Sequence, residues 1–275
     1  MALAPASRSR LPGFHLSLGL TLLWVGLLVL LPLAALVLKA ATASPAQVLA
    51  VAASPRVLAS LRLSLLASLA AALVNLGAGT LLAWVLVRYQ PPGSGLLDAL
   101  VDLPFALPTA VAGIALTRIY MADGWVGRHL PFRVAFTPVG VFVALVFIGL
   151  PFVVRTVQPV LMDLPPEEEE AAACLGASRT RILLRVVLPH LRPALVTGFA
   201  LALARGMGEY GSVIFISANL PFRTEIPPLL IVSRLEQYDY LGATVIACIL
   251  LLIAFALLFT LQVFQRGGPL GAGRV

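Results

Sequence analysis

The amino-acid sequence predicts an all-α, polytopic membrane protein with about six transmembrane helices in one continuous bundle. Hydrophobic residues make up 60% of the 275-residue chain and charged residues only 11%, and the mean hydropathy is +1.00. These values lie far outside the range of soluble domains. Long uncharged segments follow one another, and a segment that crosses a bilayer must be helical because lipid offers its backbone no hydrogen-bond partner.

The uncharged segments give the expected order of the spans. The first apolar run is much longer than the roughly 7–15 residues of a signal-peptide core, so we expect it to be retained as a span. A transmembrane domain is expected over residues 16–265, between short tails at 1–15 and 266–275. The predicted spans are about 16–38, 63–87, 100–120, 134–156, 193–216 and 240–265, with a charged loop at 158–190.

The predicted third span differs from the others because it contains two prolines, Pro104 and Pro108. Asp102 and Arg118 flank it closely. Broken helices at membrane depth are tolerated where they line a cavity or pack on protein. A lining of a translocation path and a kinked structural helix both fit this pattern.

The charged loop at 158–190 has the pattern of a helix, a turn and a second helix. Pro165 and Pro166 can open the first helix, since the first turn leaves its N–H groups unpaired, and four glutamates then lie near its positive end. Gly176 ends it, and Ser178 can cap the second helix. An apolar stripe is expected on that helix, formed by Ile182, Leu183, Val186 and Val187.

Two environments suit such an amphipathic helix. It can dock in a groove of a partner protein, or it can rest on lipid headgroups. The acidic first helix would be repelled by an anionic membrane surface, which favours the partner protein.

Arg205 and Glu209 are charged residues inside the predicted fifth span. Four residues apart, they are expected to share a helix face and to pair, because an isolated charge at membrane depth is costly. They either neutralise each other and fix the packing of the helix, or Arg205 lies on the route of an anion while Glu209 limits how tightly the anion is held.

Neither catalytic chemistry nor a bound cofactor is expected. The chain has a single lysine, Lys39, which does not stand in the G-x-x-x-x-G-K-[ST] pattern of a P-loop ATPase. Cys174 and Cys248 are far apart, and the three histidines are scattered, so no disulfide or metal site is predicted.

The net charge of +7 would suggest nucleic-acid binding in a soluble protein. Here the arginines are spread over predicted loops on both sides of the membrane without a basic run. Most are therefore expected to anchor helix ends at lipid headgroups, and no nucleic-acid partner is expected.

The charged loop resembles the EAA loop of bacterial ATP-driven importer permeases. The resemblance rests on Glu170-Ala171-Ala172, on Gly176 after three further residues, and on the segment 186–189, where Val186 stands in place of the usual isoleucine. It implies a cytoplasmic helix-turn-helix that docks on a separate ATPase dimer. The residues expected to form this contact are Glu170, Ala171, Ala172, Gly176, Ile182, Leu183, Val186 and Pro189.

Three further segments, 98–113, 152–160 and 208–216, resemble permeases of sulfate/thiosulfate importers, and more narrowly their T subunit rather than their W subunit. The resemblance runs from about residue 12 to residue 265. It implies the type I ABC importer permease fold, a second permease of the W type, the ATPase dimer and a periplasmic sulfate-binding protein. A molybdate permease is a close alternative. An ion-coupled secondary transporter would leave the EAA-like loop unexplained.

The expected orientation rests on the charges around the first span together with the span count. Arginines are almost equally distributed between the two sides, although Arg8 and Arg10 before the first span, against Lys39 after it, favour an inside start. Six spans then place both termini and the EAA-like loop in the cytoplasm, and the resemblance implies the inner membrane of a bacterial cell.

Overall fold

The computed structural model describes residues 13–266, and this part of the chain is helical, with no strand. The predicted tails, 1–15 and 266–275, lie almost wholly outside the described residues. In chain order the helices are α1 (Phe14–Ala40), α2 (Pro45–Ala52), α3 (Pro55–Tyr89), α4 (Ser94–Val101), α5 (Leu103–Ala106), α6 (Thr109–Tyr120), α7 (Pro138–Asp163), α8 (Pro166–Cys174), α9 (Arg179–Met207), α10 (Gly211–Ser217), α11 (Pro227–Glu236) and α12 (Tyr240–Arg266).

Five of these helices, α1, α3, α7, α9 and α12, are long and apolar enough to cross a membrane. The 26 residues of α7, for example, extend over about 39 Å at 1.5 Å per residue, more than the hydrocarbon core of about 30 Å. The prediction of an all-α, polytopic protein is therefore confirmed.

The predicted third span, 100–120, is not one helix: it covers the last two residues of α4, all of α5 and all of α6. Leu107 is extended (φ −83°, ψ 136°) and Pro108 also leaves the helical region (ψ 131°). A proline disfavours the helical conformation of the residue before it, which explains the break at this point.

Two predicted boundaries around the charged loop are wrong. Helix α7 continues through residues 158–163, and α9 begins at Arg179, so the loop at 158–190 shrinks to the segment 164–178. The fifth span, predicted as 193–216, ends at Met207. Helix α9 continues through Pro189 and Pro193 without a break. A π-helical turn at Leu183–Val187 directly precedes these prolines.

The core lies between α3, α7 and α9, where small residues bring the helices close together. A Cβ on Gly79 of α3 would come within 2.9 Å of the Val153 Cβ on α7. A Cβ on Gly198 of α9 would come within 3.0 Å of the Cα of the same valine. Close approach at small residues is how membrane helices gain van der Waals contact.

Helix α1 lies at the edge of the bundle. None of the residues in its apolar window is buried, and its C-terminal part packs against α12. Its remaining surface is apolar and faces outward, as for a helix surrounded by lipid or by another membrane subunit.

Candidate functional site

The segment 164–178, together with the first turns of α9, corresponds to the loop predicted to contact an ATPase, and it is called the coupling loop below. Helix α8 opens at Pro166 with acidic residues in its first turn, as the sequence predicts. Gly176 has φ +83° and makes the turn, a conformation that favours glycine. Ser178 then caps α9, since its Oγ accepts a hydrogen bond from the backbone N–H of Arg181 (3.4 Å).

Arg88, at the end of α3, holds the coupling loop against the bundle. Its Nη2 donates to Oε1 of Glu169 (2.6 Å) and to the carbonyl of Leu164 (3.2 Å). The guanidinium also lies over the ring of Trp84, 6.0 Å from its centroid. The sequence analysis expected most arginines at headgroups; the position of Arg88 at the end of a predicted span is the signal that could have indicated a contact with the charged loop.

The predicted apolar stripe on the second helix is split by the structure. Val187 is fully buried in the core of the same chain, and Ile182 packs against that core. Leu183 is 44% exposed, and the neighbouring Leu184 is 54% exposed. The prediction of one outward stripe is therefore wrong: because α9 is continuous with the bundle, one side of the stripe faces inward.

The other predicted coupling residues lie on the outer surface of this region. Leu175, which the sequence reasoning did not single out, is 89% exposed beside the turn. It adds to the apolar surface of Leu183 and Leu184. Exposed positions are Glu170, Ala171, Gly176 and Pro189, whereas Ala172 and Val186 are half-buried.

Arg205 and Glu209 form an ion pair (Nη1 to Oε2, 2.5 Å), but they do not share a helix. Helix α9 ends at Met207, so Glu209 lies in the break before α10. The Glu209 side chain is 1% exposed and that of Arg205 is 34% exposed. The second carboxylate oxygen of Glu209 accepts hydrogen bonds from the backbone N–H and the Oγ of Ser212, both 2.9 Å. Glu209 thus caps α10 and orients Arg205.

Arg155 of α7 is the centre of a polar cluster that sequence reasoning missed. Its Nε and Nη2 donate to the two carboxylate oxygens of Asp102 (2.8 and 2.6 Å). Its Nη1 donates to Asp98 Oδ1 (2.7 Å) and to Gln158 Oε1 (2.6 Å). Nη2 also donates to the carbonyl of Asp98 (3.0 Å). The cluster ties the start of the broken third span to α7.

The two predicted path prolines fall on opposite sides of the break in the third span. Pro104 lies in the first turn of α5, and Pro108 directly precedes α6. Helix α6 packs closely on α10, since a Cβ on Gly113 would come within 2.5 Å of the Ser212 carbonyl oxygen. Pro108 is therefore connected to Glu209 through these two helices, whereas Pro104 lies on the side of the Arg155 cluster.

At the other end of α7, ion pairs tie loops to helix ends. Arg56 makes two hydrogen bonds of 2.7 Å to the carboxylate of Glu225. Arg118 donates to Asp123 (2.8 Å), and this bond lowers the pKa of the Asp123 carboxyl. These arginines pair with carboxylates, where the sequence predicted contacts with headgroups. Within the described range, no group of three potential metal ligands occurs.

Comparison with known proteins gives the class of this architecture. Residues 75–266 match the family described as binding-protein-dependent transport system inner membrane component. The chain belongs to this family and is a multi-pass membrane permease, a transport component rather than an enzyme.

Two relatives are similar over nearly the whole chain. The chain is 48% identical over 266 residues to the sulfate transport system permease protein CysT of Salmonella typhimurium, covering 96% of each protein. It is 49% identical over 265 residues to the protein of the same name from Escherichia coli, covering 95% of this chain and 96% of the relative.

Solved structures with this fold include a bacterial ABC transporter that imports alginate. One such chain superposes with a TM-score of 0.74 at 17% identity, covering 92% of this chain and 96% of that chain. A second, in complex with an alginate-pentasaccharide-bound periplasmic protein, gives a TM-score of 0.75 at 18% identity, covering 92% and 93%. At this level of identity the likeness defines the fold alone.

Proposed function

We propose that this chain is the T-type permease subunit of an ATP-driven sulfate importer, with thiosulfate as a second substrate. The observation that carries the proposal is the identity of 48–49%, over nearly the full length, to two proteins named as sulfate transport permeases. A cationic side chain at membrane depth, Arg205, is consistent with an anionic substrate.

In this proposal an ATPase dimer docks on the coupling loop. The exposed leucines Leu175, Leu183 and Leu184 supply apolar contact area, and the glutamates of α8 surround them with charge. Helices α7 and α9 run without interruption from this loop into the bundle. Closure of the ATPase dimer would therefore move both helices, turning the transporter from inward-facing to outward-facing. The chain itself hydrolyses no ATP.

The remaining partners lie in and across the membrane. A second, W-type permease completes the pathway, and a periplasmic sulfate-binding protein delivers the oxyanion. In this proposal both termini and the coupling loop face the cytoplasm. Five long helices plus one broken span make six crossings, which put the two termini and a loop between the fourth and fifth spans on the same side of the membrane.

Two interpretations of the ion pair differ in the role that they assign to Arg205. In the structural reading, Arg205 only neutralises Glu209. In the functional reading, the exposed part of Arg205 attracts the oxyanion while Glu209 limits its attraction. The exposed fraction of Arg205, 34%, against 1% for Glu209, is what the functional reading requires.

Two other functions are less well supported. A molybdate permease shares the coupling loop and differs from the proposal in substrate alone. An ion-coupled secondary transporter needs an available carboxylate at membrane depth, but the oxygens of Glu209 are engaged by Arg205 and Ser212. It also leaves the coupling loop without a role.

Uptake of labelled oxyanions tests the proposal directly. Cells that lack this gene should lose uptake of labelled sulfate and retain uptake of molybdate, and the intact gene should restore sulfate uptake. Loss of molybdate uptake with normal sulfate uptake would identify the molybdate permease instead. Sulfate uptake that persists after depletion of ATP, with the membrane potential intact, would support a secondary transporter.

A further inference from the structure

The third span, α7 and the end of α9 each contain a helix break or an internal proline. The third span breaks at Leu107 and Pro108. Helix α7 contains Pro151, which lacks the N–H needed for a helical hydrogen bond. Helix α9 ends at Met207, and α10 starts at Gly211.

Contacts between neighbours place these interruptions relative to one another. Phe105, just before the break in the third span, packs edge-to-face on Phe152, just after Pro151, with ring centroids 5.1 Å apart. Thr109, just after that break, lies against Gly211 at the start of α10: a Cβ on this glycine would meet the threonine Cβ at 2.9 Å. The break in the third span therefore lies between Pro151 and the start of α10, which are themselves about two helical turns apart along the bundle.

On the coupling-loop side of this break, the Arg155 cluster is the polar link between the third span and α7. Apolar contact there is limited: Val101 is buried in the core and Phe105 packs on Phe152, whereas Leu96 and Leu100 are 68% and 48% exposed. Arg155 makes hydrogen bonds to both Asp98 and Asp102. Charge-assisted, bidentate bonds of this kind are roughly twice as strong as neutral ones.

On the opposite side, a different kind of contact joins α6 and α10 to the first half of α7. Gly113 lies against the backbone of Ser212, and a Cβ on Gly140 of α7 would come within 3.1 Å of the side chain of Ile216. Val213 and Ile216 are fully buried in a cluster with Val141 of α7. Apolar packing therefore holds α6, α10 and the first half of α7 together, and no ion pair links these helices among the described residues.

We propose that the bundle bends around Pro108 during transport, with Pro151 and the break at Gly208 as further flexible points, and that Arg155 is the positioning residue for this motion. Arg155 makes α4 and α5 move as one body with the second half of α7, which leads into the coupling loop. Helices α6 and α10 then belong to the other body. The inference rests on the proposed function as an ATP-driven permease and adds the residue that transmits the motion to the third span.

Two buried polar side chains of α3, beside α7 and α9, fit a change of conformation. Asn75 is fully buried, and neither of its amide atoms has a hydrogen-bond partner among the described residues. Its Nδ2 lies against Gly149, two residues before Pro151, and Ser68 lies against Gly206, two residues before Gly208. A hydrogen bond to this amide in a second conformation would lower the free energy of that conformation relative to the one described here.

The test uses the complete transporter in proteoliposomes, with both permeases, the ATPase and the binding protein. Arg155→Met should assemble and hydrolyse ATP at the wild-type level, while sulfate transport falls roughly tenfold. The number of sulfate ions transported per ATP hydrolysed therefore falls. Loss of a purely structural residue would instead reduce assembly, and with it both transport and ATP hydrolysis. Arg118→Met is the matched control: this arginine is 66% exposed and pairs with Asp123, and its removal should leave transport unchanged. Wild-type transport by Arg155→Met would overturn the proposal.

A cross-link tests the one-body motion without relying on Arg155→Met. In a chain with Cys174 and Cys248 replaced by serine, Phe105→Cys and Phe152→Cys can be joined by a short thiol cross-linker. If α5 and α7 move together, the cross-linked transporter remains active, and the cross-link restores transport to Arg155→Met. Loss of transport on cross-linking the otherwise unaltered protein would overturn the proposal. A wild-type complex that transports no sulfate would instead refute the proposed function.

Discussion

At the scale of single residues, Glu209 has two structural partners. Its carboxylate caps α10 through Ser212 and pairs with Arg205, so its removal affects a helix end as well as a charge. Glutamine keeps an oxygen that can accept from the N–H of Ser212, whereas methionine does not. The two readings of the ion pair are therefore best separated with glutamine at this position.

Arg205→Met should destabilise the protein strongly, because it leaves the buried carboxylate of Glu209 without its counter-charge. Loss of one partner of a buried pair costs about 3–5 kcal/mol. Adding Glu209→Gln should restore most of the stability, measured as the thermal midpoint of the assembled complex in detergent. Equal stability of the single and the double variant would contradict the pairing.

Sulfate uptake by the same double variant decides between the two readings. If Arg205 lies on the anion route, the variant should assemble and bind its ATPase but transport sulfate poorly. A near-normal rate would eliminate a role on the route. A large loss despite intact assembly would eliminate the purely structural reading.

At the scale of elements, Gly176→Val should disturb the turn of the coupling loop. No atom lies within 4 Å of the position of a Cβ at this glycine, so strain at φ +83° is the whole effect. A non-glycine residue in the left-handed region costs roughly 1–2 kcal/mol, and more for a β-branched residue. The variant should insert into the membrane and lose the ATPase on co-purification, whereas Ala173→Val in α8 should retain it. Co-purification of the ATPase at the wild-type ratio would refute the prediction.

Gly113→Ala should weaken the contact between α6 and α10. The added Cβ would lie 2.5 Å from the Ser212 carbonyl oxygen, and backbone must move to admit it, at a cost of about 1–3 kcal/mol. Gly77→Ala is the matched control, since nothing lies within 4 Å of a Cβ there. The measurement is the thermal midpoint of the complex that contains each variant. Equal midpoints for the two variants would contradict the close packing.

The sequence was sufficient for elements whose signals are local. Prolines marked the break at Pro108 and the start of α8, and Gly176 marked the turn, because each restricts its own backbone. The Arg155 cluster could not be found this way, since its partners Asp98 and Asp102 are 57 and 53 residues away. The boundaries at Asp163 and Met207 were missed because the spans were predicted from apolar segments, whereas α7 continues beyond its apolar segment and α9 ends within its predicted span, beside Gly208.

At the scale of the whole molecule, the chain should hydrolyse no ATP when purified alone. Its only lysine, Lys39, does not stand in a P-loop pattern. Hydrolysis should appear only when the ATPase partner is added, measured as phosphate release under the same conditions. Activity in a preparation free of other subunits would contradict the assignment as a non-catalytic permease.

The contact between α1 and α12 joins the first and last spans, and this sets when the bundle can be completed. Cys248 of α12 lies 4.0 Å from the carbonyl of Leu36, across 212 residues of sequence. At about 5–20 residues per second of synthesis, the partner of α1 follows it by roughly 10–40 s. During that interval α1 resides in the membrane before its neighbour in the same chain exists. A ribosome stalled before Tyr240 would thus leave an inserted but open chain, whose first helix is available to membrane quality control.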